Sequence, residues 1–163
     1  MKKNWLMFFA ALLSVGFISC SKNDEIAERN EEELFKEFVG EWTYSAEIIF
    51  DGVKSEIQGK IIYNADKTVE VVQSHYKDGD LYSEGEFDGI CFITMTENYY
   101  ELNTEIDGNV IPFDNIRFGY DGKYMMENNS KKYCCTFNRG SGAISIVENS
   151  INMMSKIELT KYK

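Results

Sequence analysis

The chain has 163 residues, 44% of them hydrophobic and 14% aromatic, and a formal net charge of −10 at neutral pH. That length accommodates one domain with a real core, and so negative a charge repels phosphate backbones and disfavours nucleic acid as a partner. One histidine, and four cysteines without a Cys-x-x-Cys pair, exclude paired-histidine metal motifs, zinc ribbons and dithiol redox centres.

The first element is an apolar run. Met1-Lys2-Lys3-Asn4 precedes residues 5–18, which are apolar except for Ser14 and Gly16. The run is too short for a permanent membrane span, which needs about 20 residues. It reads as a secretory signal over residues 1–19, with the small Ser19 at the cleavage position. The sequence "FISC" at 17–20 resembles the lipobox of bacterial lipoproteins, although Phe17 and Ile18 replace its usual Leu and Ala or Ser. The resemblance implies that Cys20 is lipidated, becomes the mature N-terminus and anchors the protein to a membrane. The alternative is an ordinary signal peptide that leaves Cys20 a free or bridged thiol. Residues 20–29 then form a flexible acidic tether, and "SKNDE" within it is similar to short export signals of some Gram-negative lineages. The expected location is the cell outer membrane, lipid-anchored, facing the periplasm or the cell surface.

Residues 30–163 form the expected domain. Asn30 can cap a helix over 30–39, with Glu33 at capping-box spacing and Glu31, Glu32 and Glu33 favouring the helix dipole. Leu34, Phe35 and Phe38 supply its apolar stripe. From Glu41 the period changes to two. Trp42, Tyr44, Ala46, Ile48 and Phe50 alternate with mostly polar neighbours, as in a half-buried strand. Asp51-Gly52 follows, then a second alternating run through Val53, Ile57, Ile61 and Tyr63, which makes a hairpin. Further Asp-Gly pairs at 78–79, 88–89, 107–108 and 121–122, with "NADK" at 64–67 and "NRGSG" at 138–142, read as turns. Pro112 belongs at a strand edge or bulge. The outcome is an all-β antiparallel up-and-down meander of about eight to ten strands, closing into a barrel or stacking as two sheets.

The stretch "FVGEWTYSAEI" resembles the start of lipocalin-like proteins, in which a short helix leads into Gly-x-Trp. Gly40, Glu41 and Trp42 match that motif. The family's Thr-Asp-Tyr is absent, and "GYDG" at 119–122 is a loose echo. The layout looks like that of small lipocalin-like lipoproteins of Gram-negative bacteria. The resemblance implies a barrel whose closed end is plugged by Trp42 under a basic residue, which would be Arg139, Lys156 or Lys161. Its mouth lies opposite, ringed by turns such as Asp51-Gly52. The expected inward residues include Tyr44, Ile48, Ile57, Ile61, Phe87, Phe118, Tyr133, Phe137, Ile144 and Ile146. Of these, Tyr44, Ile48, Ile57, Phe118 and Phe137 are the candidate ligand-binding residues. They are large, so a filled core competes with a hollow one and is favoured.

The inventory for catalysis is thin. His75, beside Tyr76 and Lys77, is expected on a solvent-exposed strand face with Ser74 on the opposite one. No Gly-x-Ser-x-Gly elbow and no βαβ unit occur, so neither a serine hydrolase nor a dinucleotide cofactor is expected. Asp78, Asp80, Glu84, Glu86 and Asp88 form the densest carboxylate cluster, which an outward strand face explains better than a metal site. Cys91, Cys134 and Cys135 are expected to be structural, reduced or singly bridged. Tyr99 and Tyr100 are adjacent, so one should face out.

The expectation is a non-enzymatic, membrane-anchored lipoprotein whose barrel holds a small apolar or amphipathic ligand. The other reading is a filled barrel or sandwich that acts through its surface, as an adhesin, inhibitor or assembly subunit.

Overall fold

The computed structural model describes residues 30–106, 113 and 115–163. The signal, Cys20, the tether, Asp107-Gly108 and Pro112 lie outside the described residues. One helix, α1 (Glu31–Phe38), is followed by β1 (Gly40–Phe50), β2 (Val53–Tyr63), β3 (Thr68–Lys77), β4 (Asp80–Met95) and β5 (Tyr99–Ile106). Then come β6 (Ile116–Gly119), β7 (Lys123–Asn128), β8 (Lys131–Asn138), β9 (Ala143–Ser150) and β10 (Met153–Lys161).

The ten strands form one antiparallel sheet in the order β6-β5-β4-β3-β2-β1-β10-β9-β8-β7. The first strand therefore pairs with the last, from Trp42↔Lys161 to Phe50↔Met153. The sheet curls into a nearly closed up-and-down barrel, with its one seam in mid-chain between β6 and β7. Closure leaves few strand edges to template aggregation.

Local chemistry explains most of these elements. Asn30 caps α1, its Oδ1 accepting from the Glu33 backbone N–H at 2.9 Å. Asp51 and Gly52 take φ of 47° and 79°, the positive pair that a two-residue hairpin requires. Asp78-Gly79 makes the β3–β4 turn in the same way, with φ of 53° and 89°. Asp88-Gly89 corrects the expectation of a turn, since both residues lie inside β4 and pair with Glu70 and Val69 on one side. Gly89 serves close approach there: a Cβ would stand 2.1 Å from the Glu105 carbonyl oxygen. The 16-residue strand can coil around the barrel because that position carries no side chain.

The closed end is built on α1. Leu34, Phe35 and Phe38 are buried, and Phe38 lies against Trp42, Phe118 and Phe137 with ring centroids 6.4, 5.3 and 5.3 Å away. Tyr100 stacks on Phe118 at 5.3 Å and completes an aromatic layer. Trp42 is wholly buried, and its indole Nε1 donates to the Phe38 carbonyl at 2.7 Å. Lys161 is the basic residue over Trp42, with Nζ 5.5 Å from the ring and donating to the Glu37 carbonyl at 2.9 Å. Arg139 instead sits over Phe137 at 5.1 Å, its Nε on Glu37 at 2.6 Å and its Nη2 on the Tyr100 hydroxyl at 2.9 Å. Lys156 points outward and pairs with Glu158 at 2.9 Å.

Two outcomes follow. Trp42→Phe keeps the ring but orphans a buried carbonyl, so chemical denaturation should show a loss of about 1–3 kcal/mol. Lys161→Met, which removes a carbonyl donor and a cation–π contact, should lose about 1–2 kcal/mol.

A third outcome concerns alkaline pH. Burial raises the phenol pKa of Tyr44, Tyr63, Tyr100 and Tyr133 above the ordinary value of 10. A folded pKa above the unfolded one gives stability that is complete below pH 10 and is lost as the pH rises past it. Each such phenol removes about 1.4 kcal/mol per pH unit in that range. Tyrosinate absorbance from these four should therefore appear together with loss of the β circular dichroism signal. Ionisation of all four near pH 10 in a still-folded barrel would contradict their burial.

Candidate functional site

The inward face is set by register. Trp42, Tyr44, Ala46 and Ile48 of β1 stand opposite Ile61, Gly59, Ile57 and Ser55 of β2. Gln73 and His75 continue those rows on β3, followed by Gly85 and Ser83 on β4. On the other side of β1, Ile48 leads through Ser155 and Glu148 to Tyr133. The face changes character along the barrel. Near α1 it is aromatic and fully buried, whereas toward the Asp51-Gly52 end it holds Ser55, Ser83, Gly85 and Ser155, and Ile48, Ile57, His75 and Phe87 are only half-buried. The small residues let neighbouring rings lie over them: a Cβ on Gly59 would stand 2.8 Å from the Tyr44 ring and one on Gly85 2.3 Å from the Phe87 ring.

This divides the five candidate ligand-binding residues. Phe118 and Phe137 belong to the aromatic layer at the closed end. Tyr44 lies between the two halves, with its ring over Gly59. Ile48 and Ile57 line the open half. Gly40 and Trp42 stand at the closed end, Gly40 with φ of 126° packed against the Lys161 side chain.

A polar stripe climbs the β1–β3 wall. Tyr44 donates from its hydroxyl to Gln73 Oε1 at 2.8 Å, and the Phe113 ring meets Tyr44 edge-on at 4.9 Å. Among the described residues, two buried side-chain polar atoms lack a hydrogen-bond partner, Tyr63 Oη and His75 Nε2. Both residues are on the inward face. Thr104 is near enough to Tyr63 to offset a little of the burial-driven rise in its pKa, without meeting the geometry of a hydrogen bond. On β10 and β9, next to β1, the inward Ile144, Ile146, Ile157 and Leu159 are buried and apolar, with Ser155 and Glu148 following toward the mouth. The interior is thus amphipathic.

The inward position of His75 corrects the expectation of an exposed face. A β-bulge at His75/Tyr76 makes Tyr82 the extra residue of β4, and its ring meets the imidazole edge-on at 5.3 Å. The sequence held a signal for this: Val69, Val71, Gln73 and His75 share one parity, and the first two are buried.

The seam between β6 and β7 is held by side chains. The Arg117 backbone N–H donates to the Tyr133 hydroxyl at 3.3 Å and its Nη1 to Met126 Sδ at 3.9 Å, while its Nε pairs with Glu101 of neighbouring β5 at 2.6 Å. A cleft of about 210 Å³ lies there, lined by Asn115, Arg117, Met126, Lys131, Tyr133 and Glu148. Lys131 and Glu148 pair within it at 2.6 Å. Another concavity, of about 300 Å³, lies on the outer wall of β1, β2 and β10. Charged residues line it, among them Glu47, which pairs with Lys54 at 2.6 Å.

Other singled-out residues take structural places. Glu84, Glu86 and Asp88 share the exposed outer face of β4, with Ser74 Oγ 3.1 Å from Glu84. No group of metal-ligating side chains is gathered among the described residues. Cys91, Cys134 and Cys135 are free thiols; burial pushes Cys91 up to about 12 and raises Cys135 as well, which keeps both unreactive. Tyr100 is buried, while Tyr99 is half-buried beneath Arg117, 5.6 Å from its ring.

The chain matches no protein-family model and no curated protein sequence. Two solved structures are similar to it. The S-type phycobiliprotein lyase of Guillardia theta is 13% identical, with 85% of this chain and 97% of that chain covered at a TM-score of 0.49. A de novo designed fluorescence-activating β-barrel is 12% identical, with 78% of this chain and 95% of that chain covered at a TM-score of 0.38. Such likeness is one of shape and bears on neither ligand nor chemistry.

Proposed function

We propose that this protein is a non-enzymatic binding module that holds a small amphipathic molecule in the open half of its barrel. The reading includes export and a lipid anchor on Cys20, which would place it at the outer membrane, facing the periplasm or the cell surface. What carries the ligand reading is the buried, partnerless Nε2 of His75 on the inward face of the open half, Tyr63 lying beside Gly40 at the closed end. A buried polar group without a partner costs about 1–3 kcal/mol. A ligand that satisfies such atoms recovers that cost on binding. Its apolar body would lie on Ile48, Ile57, Phe87 and the neighbouring Ile157 and Ile146 of β10 and β9. Its polar atoms would face His75 and the Tyr44–Gln73 pair. Hydrophobic burial supplies affinity and the stripe supplies orientation.

The test compares the full chain with Ile57→Trp, which fills the open half, and His75→Phe, which removes the orphaned nitrogen. An apolar environment-sensitive dye should bind the parent, and native mass spectrometry should find a co-purified small molecule. Ile57→Trp should weaken dye binding at least about tenfold, or 1.4 kcal/mol, with little change in unfolding midpoint. The apolar residues 5–18 are common to all variants, so a dye signal that Ile57→Trp leaves unchanged comes from elsewhere and sinks the reading. A filled barrel acting through its surface would then take its place.

A further inference from the structure

Among the described residues, four of the ten exposed large hydrophobic side chains gather in one place. Ile151 is 81% exposed, Phe50 57%, Val53 45% and Met154 42%. All four belong to two neighbouring hairpins at the mouth, β1–β2 and β9–β10. The Asp51 backbone N–H donates to the Asn152 carbonyl at 3.0 Å, so the two tips form one unit. Residues 49–53 and 149–154 contain a single charge, Asp51, in a chain that is 27% charged. The opposite end is densely charged: Glu31, Glu32 and Glu33 open α1, and Lys67–Glu32, Lys60–Glu41 and Arg139–Glu37 pair at 2.8, 2.8 and 2.6 Å. The mouth carries charge as well, in the β3–β4 turn with Lys77, Asp78 and Asp80 and the β7–β8 turn with Glu127, Lys131 and Lys132, so the two tips are an apolar sector of that rim.

We infer that the paired β1–β2 and β9–β10 tips are a membrane-contacting surface, which seats the barrel mouth on an electrically neutral lipid bilayer. Exposed apolar residues on two joined turns suit penetration of a lipid interface, and the charges flanking them, Lys54 with Glu47 and Glu148 with Lys131, are paired at 2.6 Å. A specific protein contact would want a polar rim with hydrogen bonds in fixed register, and these tips offer little of that. The net charge of −10 disfavours anionic lipid, which selects a zwitterionic surface. Reach is sufficient under the anchor proposed above. A ten-residue tether at 20–29, entering at the closed end, extends to about 33–36 Å. An 11-residue strand tilted in a barrel rises only about 25–30 Å. An anchored barrel can therefore turn its mouth to the bilayer. The apolar tips themselves do not depend on the anchor.

The experiment uses the full chain with Cys20→Ser and Cys134→Ser, leaving the buried Cys91 and Cys135 in place. An environment-sensitive fluorophore is attached through Ile151→Cys at the mouth or, separately, through Asp66→Cys at the closed end. On phosphatidylcholine vesicles, emission at 151 should rise at least about threefold, as for a side chain entering the acyl boundary, and brominated acyl chains should quench it. The label at 66 should report water throughout. Phe50→Asp with Val53→Asp should abolish the change at 151 while circular dichroism stays that of the parent. If that pair fails to fold, Ser150→Asp with Asn152→Asp makes the same test from the other tip. A wet label at 151 on vesicle-bound chain overturns the inference, as does equal burial of both labels. So does a label at 151 that is shielded only when envelope proteins are added, which would assign the tips to a protein partner.

Discussion

The barrel depends on how one short helix ends. The last carbonyls of α1 have no partner within the helix, and they point into the base of a barrel. Two barrel side chains satisfy them: the Trp42 indole N–H donates to the Phe38 carbonyl, and the Lys161 ammonium donates to the Glu37 carbonyl. These residues come from the first and last strands, which also pair with each other directly at Trp42↔Lys161. Capping the helix and closing the sheet are thus one event. Burial lowers the pKa of the Lys161 ammonium, and the attraction of Glu37 offsets part of that. The charge is tolerated there because it has both a carbonyl and an aromatic face to rest on.

That sealed base makes the two ends unlike. Every strand carries an inward residue at each second position, so periodicity alone would describe a uniform tube. Side-chain size breaks the uniformity. Phenylalanine, tryptophan and tyrosine crowd around Phe38, whereas serine and glycine occupy inward positions of β2, β4 and β10 nearer the mouth. Packing density in a sealed core leaves few voids, and in the second half the inward Ile48, Ile57, His75 and Phe87 are only half-buried. The seam lies where β6 is just four residues long, too short to zip along β7, and Arg117 bridges the interval with its side chain and one backbone donor.

Much of this was legible in the chain because its cause is local. Asn30 followed by Glu33 marks a helix start, and Asp51-Gly52 marks a hairpin, through chemistry confined to a few residues. Trp42, Tyr44 and Ala46 show their face by alternation. What was illegible depends on contacts distant in sequence. Choosing Lys161 over Arg139 and Lys156 requires the β1–β10 register, which joins residues at opposite ends of the domain. Asp88-Gly89 looks like a turn until Glu105 is known to pass beside it, at which point the glycine is needed for space. His75 was readable by parity, but its flanking Tyr76, Lys77 and Asp78 are polar enough to suggest an outer face. The orphaned Tyr63 hydroxyl could not be read at all, since being unpartnered is a property of the whole interior.

The division of labour between the ends has an energetic reason. Half-buried isoleucines, two unpartnered buried polar atoms and apolar turn tips each reduce stability relative to a sealed barrel. A domain whose net stability is only about 5–15 kcal/mol can carry such features only where other parts are over-determined. The closed end is over-determined: an aromatic layer, a capped helix and Arg139 tying Glu37 to Tyr100 all restrain the same few residues. Under the binding function proposed above, half-buried inward positions at one end and compensating packing at the other are the arrangement expected when stability and activity compete. On this view the large hydrophobic residues of α1 are as necessary to the mouth as the residues that line it.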